Sequence, residues 1–124
     1  MARYTNSASN ARRRAIWAMS TAGLALSIAV LTLMDRSDIP SSFALSDKFY
    51  HAIAFAALIF PTTVLRPRWS LRMGVGAFFY GGVIELIQPL FGRSSEWLDM
   101  AANSLGIVIG ILMSHGIRSV ARMA

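Results

Sequence analysis

The sequence predicts an all-α fold, a transmembrane four-helix bundle with both termini cytoplasmic, and three observations carry that prediction. Hydrophobic residues make up 55% of the chain and charged residues 15%, against about a quarter charged in a soluble domain. The apolar residues fall in four blocks of helix-spanning length, and about 20 residues cross a ~30 Å hydrocarbon core. The basic residues alternate: the amino tail, the second connection and the carboxyl tail hold Arg3, Arg12–Arg14, Arg66, Arg68, Arg72, Arg118 and Arg122, whereas the first and third connections, with their helix ends, hold Arg36, Lys48 and Arg93 with all six acids. By the positive-inside rule the first set faces the cytoplasm and the second the outer side.

The 124 residues leave room for one domain. We divide it into a basic, disordered cytoplasmic tail (1–14), a four-span membrane domain (15–116) and a cytoplasmic tail (117–124). The net charge of +6 sits at segment ends rather than on one soluble face, which argues against nucleic acid as a partner. Cysteine is absent, so there is neither a disulfide framework nor a thiolate site.

The first apolar block runs from Ala15 to Met34. At about 20 residues it exceeds the roughly 7–15 of a signal-peptide core, and no small-x-small cleavage site follows, so it reads as a retained helix. Its small residues Ala18, Ala22, Gly23, Ser27 and Ala29 suit close helix approach. Ser20, Thr21, Ser27 and Thr32 can place their hydroxyls on carbonyls of their own helix. Residues 35–46 form a loop around Pro40, with Ile39, Phe43, Ala44 and Leu45 as a short interfacial turn.

The second helix starts near Asp47, with Ser46 or Asp47 as its cap, and runs to about Leu65. Pro61 should kink it or end its regular part. The basic turn Arg66–Arg72 follows, with Trp69 at the interface. The third helix, from Leu71 to about Gln88, carries Gly74, Gly76, Gly81 and Gly82, and Ala77 and Gly81 form a small-xxx-small pair. Pro89 ends it. The fourth helix runs from Trp97 to about His115, and Ala102, Gly106, Gly110 and Ser114 give it a smooth packing face. Trp17, Trp69 and Trp97 fall near predicted boundaries, as aromatic belts do.

Polar residues concentrate at one predicted end. Asp47 and His51 lie four apart on one helix, Glu85 and Gln88 three apart on the next, and Asp99 and Asn103 four apart on the last, so each pair shares a face. Lys48 and Arg93 add the cations. A carboxylate within an apolar segment costs roughly 2.5–3.5 kcal/mol at a bilayer centre on insertion scales, so these groups should face each other rather than lipid.

The series Asp47-Lys48-x-x-His51, Glu85-x-x-Gln88, Gly92-Arg93, Asp99 and Asn103-x-x-Gly106 resembles the motif series of the VanZ-like family of small bacterial membrane proteins, over residues 15–115. The resemblance implies four or more spans in the cytoplasmic membrane of a bacterium and an envelope context. The family's founding member is associated with low-level resistance to the lipoglycopeptide teicoplanin. No reaction comes with the resemblance.

Three readings of the cluster follow from its residues. As scaffold, Asp47, Glu85 and Asp99 are neutralised by Lys48, Arg93 and hydrogen bonds, which fixes the packing of three helices in a structural partner of envelope polysaccharide machinery. As a ligand site, Arg93 and Lys48 hold a phosphate or carboxylate, while Glu85, Gln88, Asp99 and Asn103 take hydroxyls or amides of a lipid-linked precursor or lipoglycopeptide. As a catalytic site, His51 oriented by Asp47 is a general base and Glu85 or Asp99 an acid. His51, Glu85 and Asp99 could ligate a metal, but there is no dense motif such as HExxH, and we expect neither metal nor cofactor. Recognition of a lipid-linked or lipophilic ligand is the leading expectation. Membrane lipids are the expected surroundings, and a second copy or a membrane partner is compatible with four short helices.

Overall fold

A computed structural model describes residues 2–34 and 44–124, with side chains described for 6–34 and 47–124. Four helices make up the described chain: α1 (Ala2–Leu33), α2 (Ala44–Leu65), α3 (Ser70–Ile87) and α4 (Trp97–Met123), with single 3-10 turns at Pro67–Trp69 and Gln88–Phe91. All four contain a stretch long and apolar enough to cross a membrane: Asn6–Leu33, Asp47–Leu65, Pro67–Phe91 and Trp97–Met123.

Several boundaries depart from those read from the sequence. The stretch expected to be a disordered tail is helical from Ala2, so α1 is a single rod of 32 residues, about 48 Å at 1.5 Å per residue. No proline or glycine separates Arg14 from the apolar block. An existing helix propagates outwards without a new nucleation step, and Ala and Arg are good helix formers. By the same logic α4 continues past His115 to Met123, where a short tail was expected. α2 begins at Ala44, which puts Asp47 within its first turn and removes Ser46 and Asp47 as caps. The interfacial turn proposed around Ile39 and Phe43 lies outside the described residues.

Pro61 does not end α2, which continues to Leu65. The local backbone is supported by hydroxyls: Thr63 Oγ1 donates to Phe60 O at 2.9 Å and lies 3.3 Å from Ile59 O. Thr62 and Thr63 are fully buried.

The core is small and centred on α2. Phe55, Leu58 and Ile59 of α2 meet Ile28 of α1, Ala77 and Ile84 of α3, and Ile107 of α4. Large apolar side chains elsewhere face outwards, among them Leu26, Val30, Phe79, Leu86, Leu105 and Leu112. Such a surface requires an apolar solvent, which is what a bilayer supplies.

The tightest contact is between α2 and α4. A Cβ at Gly106 would stand 2.1 Å from the Ala52 carbonyl oxygen, and one at Gly110 would stand 2.8 Å from that of Ala56. Both glycines belong to the small face expected of α4, and Ser114, on the same face, is fully buried. Gly81 of α3 is similarly close to Phe55 and Asn103.

The small residues of α1 behave differently. Gly23 has nothing nearby, Ala18, Ala22 and Ser27 are exposed, and the buried face is instead Leu24, Ala25, Ile28 and Thr32. Tyr80 of α3 fastens this face by donating to Ala25 O. Ser20, Ser27 and Thr32 donate to carbonyls of their own helix, as expected, but Thr21 Oγ1 is buried without a partner.

The up-and-down arrangement sorts charge by end. At one end Trp17 Nε1 donates to Thr62 Oγ1 at 2.8 Å, and Arg66 stacks over Trp17 and Trp69 at 4.8 Å and 4.9 Å. Arg13 and Arg118 donate to Leu65 O and Thr63 O there. These carbonyls belong to the last turn of α2, where no helical partner exists. Trp17 is therefore a packing residue as well as a boundary one. The opposite end carries the acids Asp47, Glu85, Glu96 and Asp99.

Replacing Gly106 by alanine should force α2 and α4 apart at their backbone contact and destabilise the protein by about 1–3 kcal/mol or more. Gly23→Ala, facing open space, should leave stability unchanged or slightly raised. Thermal unfolding of the two variants in detergent micelles tests the contrast.

Candidate functional site

All eight residues singled out in the sequence converge at the acidic end. The route is topological: α1 and α3 end there and α2 and α4 begin there, so widely separated segments meet. Gly92 completes the geometry. It adopts φ +75 at the close of the Gln88–Phe91 turn, a left-handed conformation that strains other residues, and this reverses the chain so that Arg93 returns to the bundle.

Arg93 is the hub between α1 and α2. Its Nη2 lies 3.3 Å from Asp47 Oδ2, and its Nη1 donates to the Thr32 carbonyl. Gln88 Nε2 approaches the same carbonyl at 3.4 Å. Thr32 is in the last turn of α1, so its carbonyl lacks a helical donor, and two side chains from the α3–α4 connection supply one. Sequence reasoning missed Thr32 because its contribution is a backbone oxygen.

Lys48 links α2 to α4. Its ammonium is 2.7 Å from Glu96 Oε2 and 3.3 Å from Asp99 Oδ1. The second contact is an ion pair by distance but lacks hydrogen-bonding geometry, since Asp99 Oδ1 has no hydrogen-bond partner. Glu96 belongs to the polar junction in the sequence but was not placed in the site. It also fastens Glu85, donating its backbone N–H to Glu85 Oε2 at 3.3 Å.

His51 lies deeper. Its Nδ1 is 2.9 Å from Asn103 Oδ1, and since an amide oxygen only accepts, we assign the ring proton to Nδ1. Nε2 then carries the lone pair and faces Asp47 Oδ2 at 4.0 Å. His51 is 3% exposed, Glu85 6% and Asp99 3%, and Gln88 and Asn103 are fully buried.

The burial is incompletely compensated. His51 Nε2, Glu85 Oε1, Gln88 Oε1, Asp99 Oδ1 and Asn103 Nδ2 are buried without hydrogen-bond partners. An orphaned buried polar atom costs about 1–3 kcal/mol, and of these five Asp99 Oδ1 has a cation beside it, the Lys48 ammonium at 3.3 Å. The sequence led us to expect no metal. The fold nevertheless gathers Asp47, His51 and Asp99 with one ligand atom each within 4.8 Å of one another, and the third member of that set is Asp47 rather than Glu85.

A cavity of about 530 Å³ adjoins the cluster between α1 and α2. Ile28, Leu31, Thr32, Tyr50, Ile53 and Ala54 form its walls, and Asp47 and His51 its polar end. Leu31, Tyr50 and Ile53 are each more than half exposed, so the cavity opens on the outer, apolar surface of the bundle.

Together the fold and the cluster define a helical protein of the multi-pass membrane class with a buried polar site at one end. No family model, curated protein or solved structure matches the chain.

Arg93→Ala should cost about 1.5–3 kcal/mol, the range for hydrogen bonds to charged groups, because it uncaps α1 and removes the guanidinium from Asp47. Arg122→Ala, exposed near the end of α4, should change stability by less than about 0.5 kcal/mol. Denaturation in mixed micelles distinguishes them.

Proposed function

We propose that this chain is a VanZ-like protein of the bacterial cytoplasmic membrane, and that it recognises a lipid-linked envelope precursor or a lipoglycopeptide at its outer face. The observation that carries the reading is the cavity between α1 and α2: an apolar trough open at the bundle surface and closed at one end by Asp47 and His51. An acyl or prenyl chain fits the walls. A polar head group fits the end formed by Asp47 and His51, where Arg93, paired with Asp47, supplies a guanidinium for phosphate or carboxylate, and Glu85, Gln88 and Asp99 lie buried in the cluster behind it.

The orientation belongs to the same reading. Segregation of Arg13, Arg66 and Arg118 to the end opposite the acids supports cytoplasmic termini under the positive-inside rule. The motif series Asp47-Lys48-x-x-His51, Glu85-x-x-Gln88 and Asp99 to Gly106 supports the family, and with it a contribution to teicoplanin-type resistance.

A second reading, a membrane enzyme acting on such a lipid's head group, is favoured by His51. Its ring is oriented through Nδ1 by Asn103, and Nε2 lies buried without a hydrogen-bond partner, 4.0 Å from Asp47, the orientation a general base needs.

Wild-type protein and an Asp47→Asn/Glu85→Gln variant of equal thermal stability should be incubated with bacterial lipid extract and the bound lipids identified by mass spectrometry. Recognition requires a lipid retained by wild type, unchanged in mass, and depleted in the variant. Ala54→Trp, which fills the trough without touching the charges, should also abolish retention. A mass-changed product formed only by wild type would establish the enzyme instead.

A further inference from the structure

We propose that Asp47, His51 and Asp99 hold one divalent cation of the zinc or manganese type. The residues come from two helices, α2 and α4, and are brought together by the backbone contact at Gly106. Their ligand atoms already lie within 4.8 Å of one another. Two buried ligand atoms, His51 Nε2 and Asp99 Oδ1, have no hydrogen-bond partner, on side chains 3% and 4% exposed.

The support around these groups is what a cation site needs. A ligating histidine donates its other ring N–H to an oxygen, which fixes the tautomer and aims the lone pair. Asn103 Oδ1 accepts from His51 Nδ1 at 2.9 Å in that way, leaving Nε2 directed at the Asp47 carboxylate. Two electron-rich groups then face each other at 4.0 Å with Asp99 beside them. That separation is too long for a hydrogen bond and suited to an ion between them.

The charge balance points the same way. Among the described residues the cluster holds four carboxylates, Asp47, Glu85, Glu96 and Asp99, against the cations Lys48 and Arg93. Lys48 is closer to Glu96, at 2.7 Å, than to Asp99, at 3.3 Å, so Asp99 can turn towards an ion while Lys48 keeps Glu96. Arg93 Nη2 lies 3.3 Å from Asp47 Oδ2, the oxygen that faces His51 Nε2, and so stands behind that carboxylate as an outer-shell partner of the ion.

One imidazole with two carboxylates is a donor set for zinc or manganese. Tetrahedral ligands about 2.1 Å from an ion stand about 3.4 Å apart. Binding therefore draws the three side chains inwards from their 4.8 Å spread. Water or a ligand oxygen from the adjoining trough completes the shell.

The test uses full-length protein in detergent, stripped with a chelator and titrated separately with Zn²⁺, Mn²⁺ and Co²⁺. Uptake is measured by elemental analysis and the Co²⁺ environment by visible absorption. We expect one equivalent per chain and a cobalt spectrum unchanged by His115→Ala, which removes the only other histidine. Binding should be lost in Asp99→Asn and weakened roughly 10–100-fold in Asn103→Ala, where the orienting hydrogen bond is gone. Folded wild-type protein that takes up no stoichiometric ion overturns the proposal, as does binding that disappears in His115→Ala. Neither of those arms depends on a cluster variant folding.

Discussion

The backbone contact between α2 and α4 is the constraint on which the rest of the structure depends. Gly106 and Gly110 lie so close to the Ala52 and Ala56 carbonyls that no side chain fits between. In a bilayer, lipid tails are as apolar as leucine, so helix association rests on close packing rather than on expulsion of water. The same contact sets the register of the site. His51 adjoins Ala52, and Asn103 lies one turn before Gly106, so the two helices can touch at the glycines only by bringing imidazole and amide together. Packing and site geometry are one decision.

A second constraint concerns helix ends. The last turn of a helix leaves carbonyls without donors, and for α1 and α2 this protein supplies them from other segments of the chain. Arg13 and Arg118 serve the end of α2, and Arg93 and Gln88 serve the end of α1. Arginine suits the task because its guanidinium stays charged and reaches several acceptors at once. The two sets lie at opposite ends of the bundle, and only the one containing Arg93 is surrounded by carboxylates. The basic end is tied down by stacking and capping. The acidic end retains buried atoms without partners, the condition under which a ligand or an ion gains most from binding.

Much of this was legible in the sequence. Block lengths gave four helices, Pro89 gave the end of α3, and the four-residue spacing of Gly106, Gly110 and Ser114 gave the packing face of α4. The site residues were legible because ionisable groups in apolar segments are rare enough to stand out. Other features were not. The amino-terminal 14 residues look like a solvated tail in composition, but helix propagation from the adjoining span overrides that local signal. The small residues of α1 suggested a packing face that turned out to face outwards. Small residues permit approach without requiring it, and Tyr80 engages a different face.

The sequence by itself determined the class of protein, the number of spans, the asymmetry of charge and the identity of the polar residues. These are properties of composition and of one-dimensional spacing, set by bilayer thickness and the helical repeat. The tertiary structure alone decided which polar groups meet. It placed Arg93 on the Thr32 carbonyl, Asp47 rather than Glu85 beside His51 and Asp99, and the trough between α1 and α2 against that cluster. The physical reason is that such pairings depend on helix rotation and depth. Those are fixed by backbone contacts between segments some fifty residues apart, such as His51 and Asn103, and no local pattern encodes them.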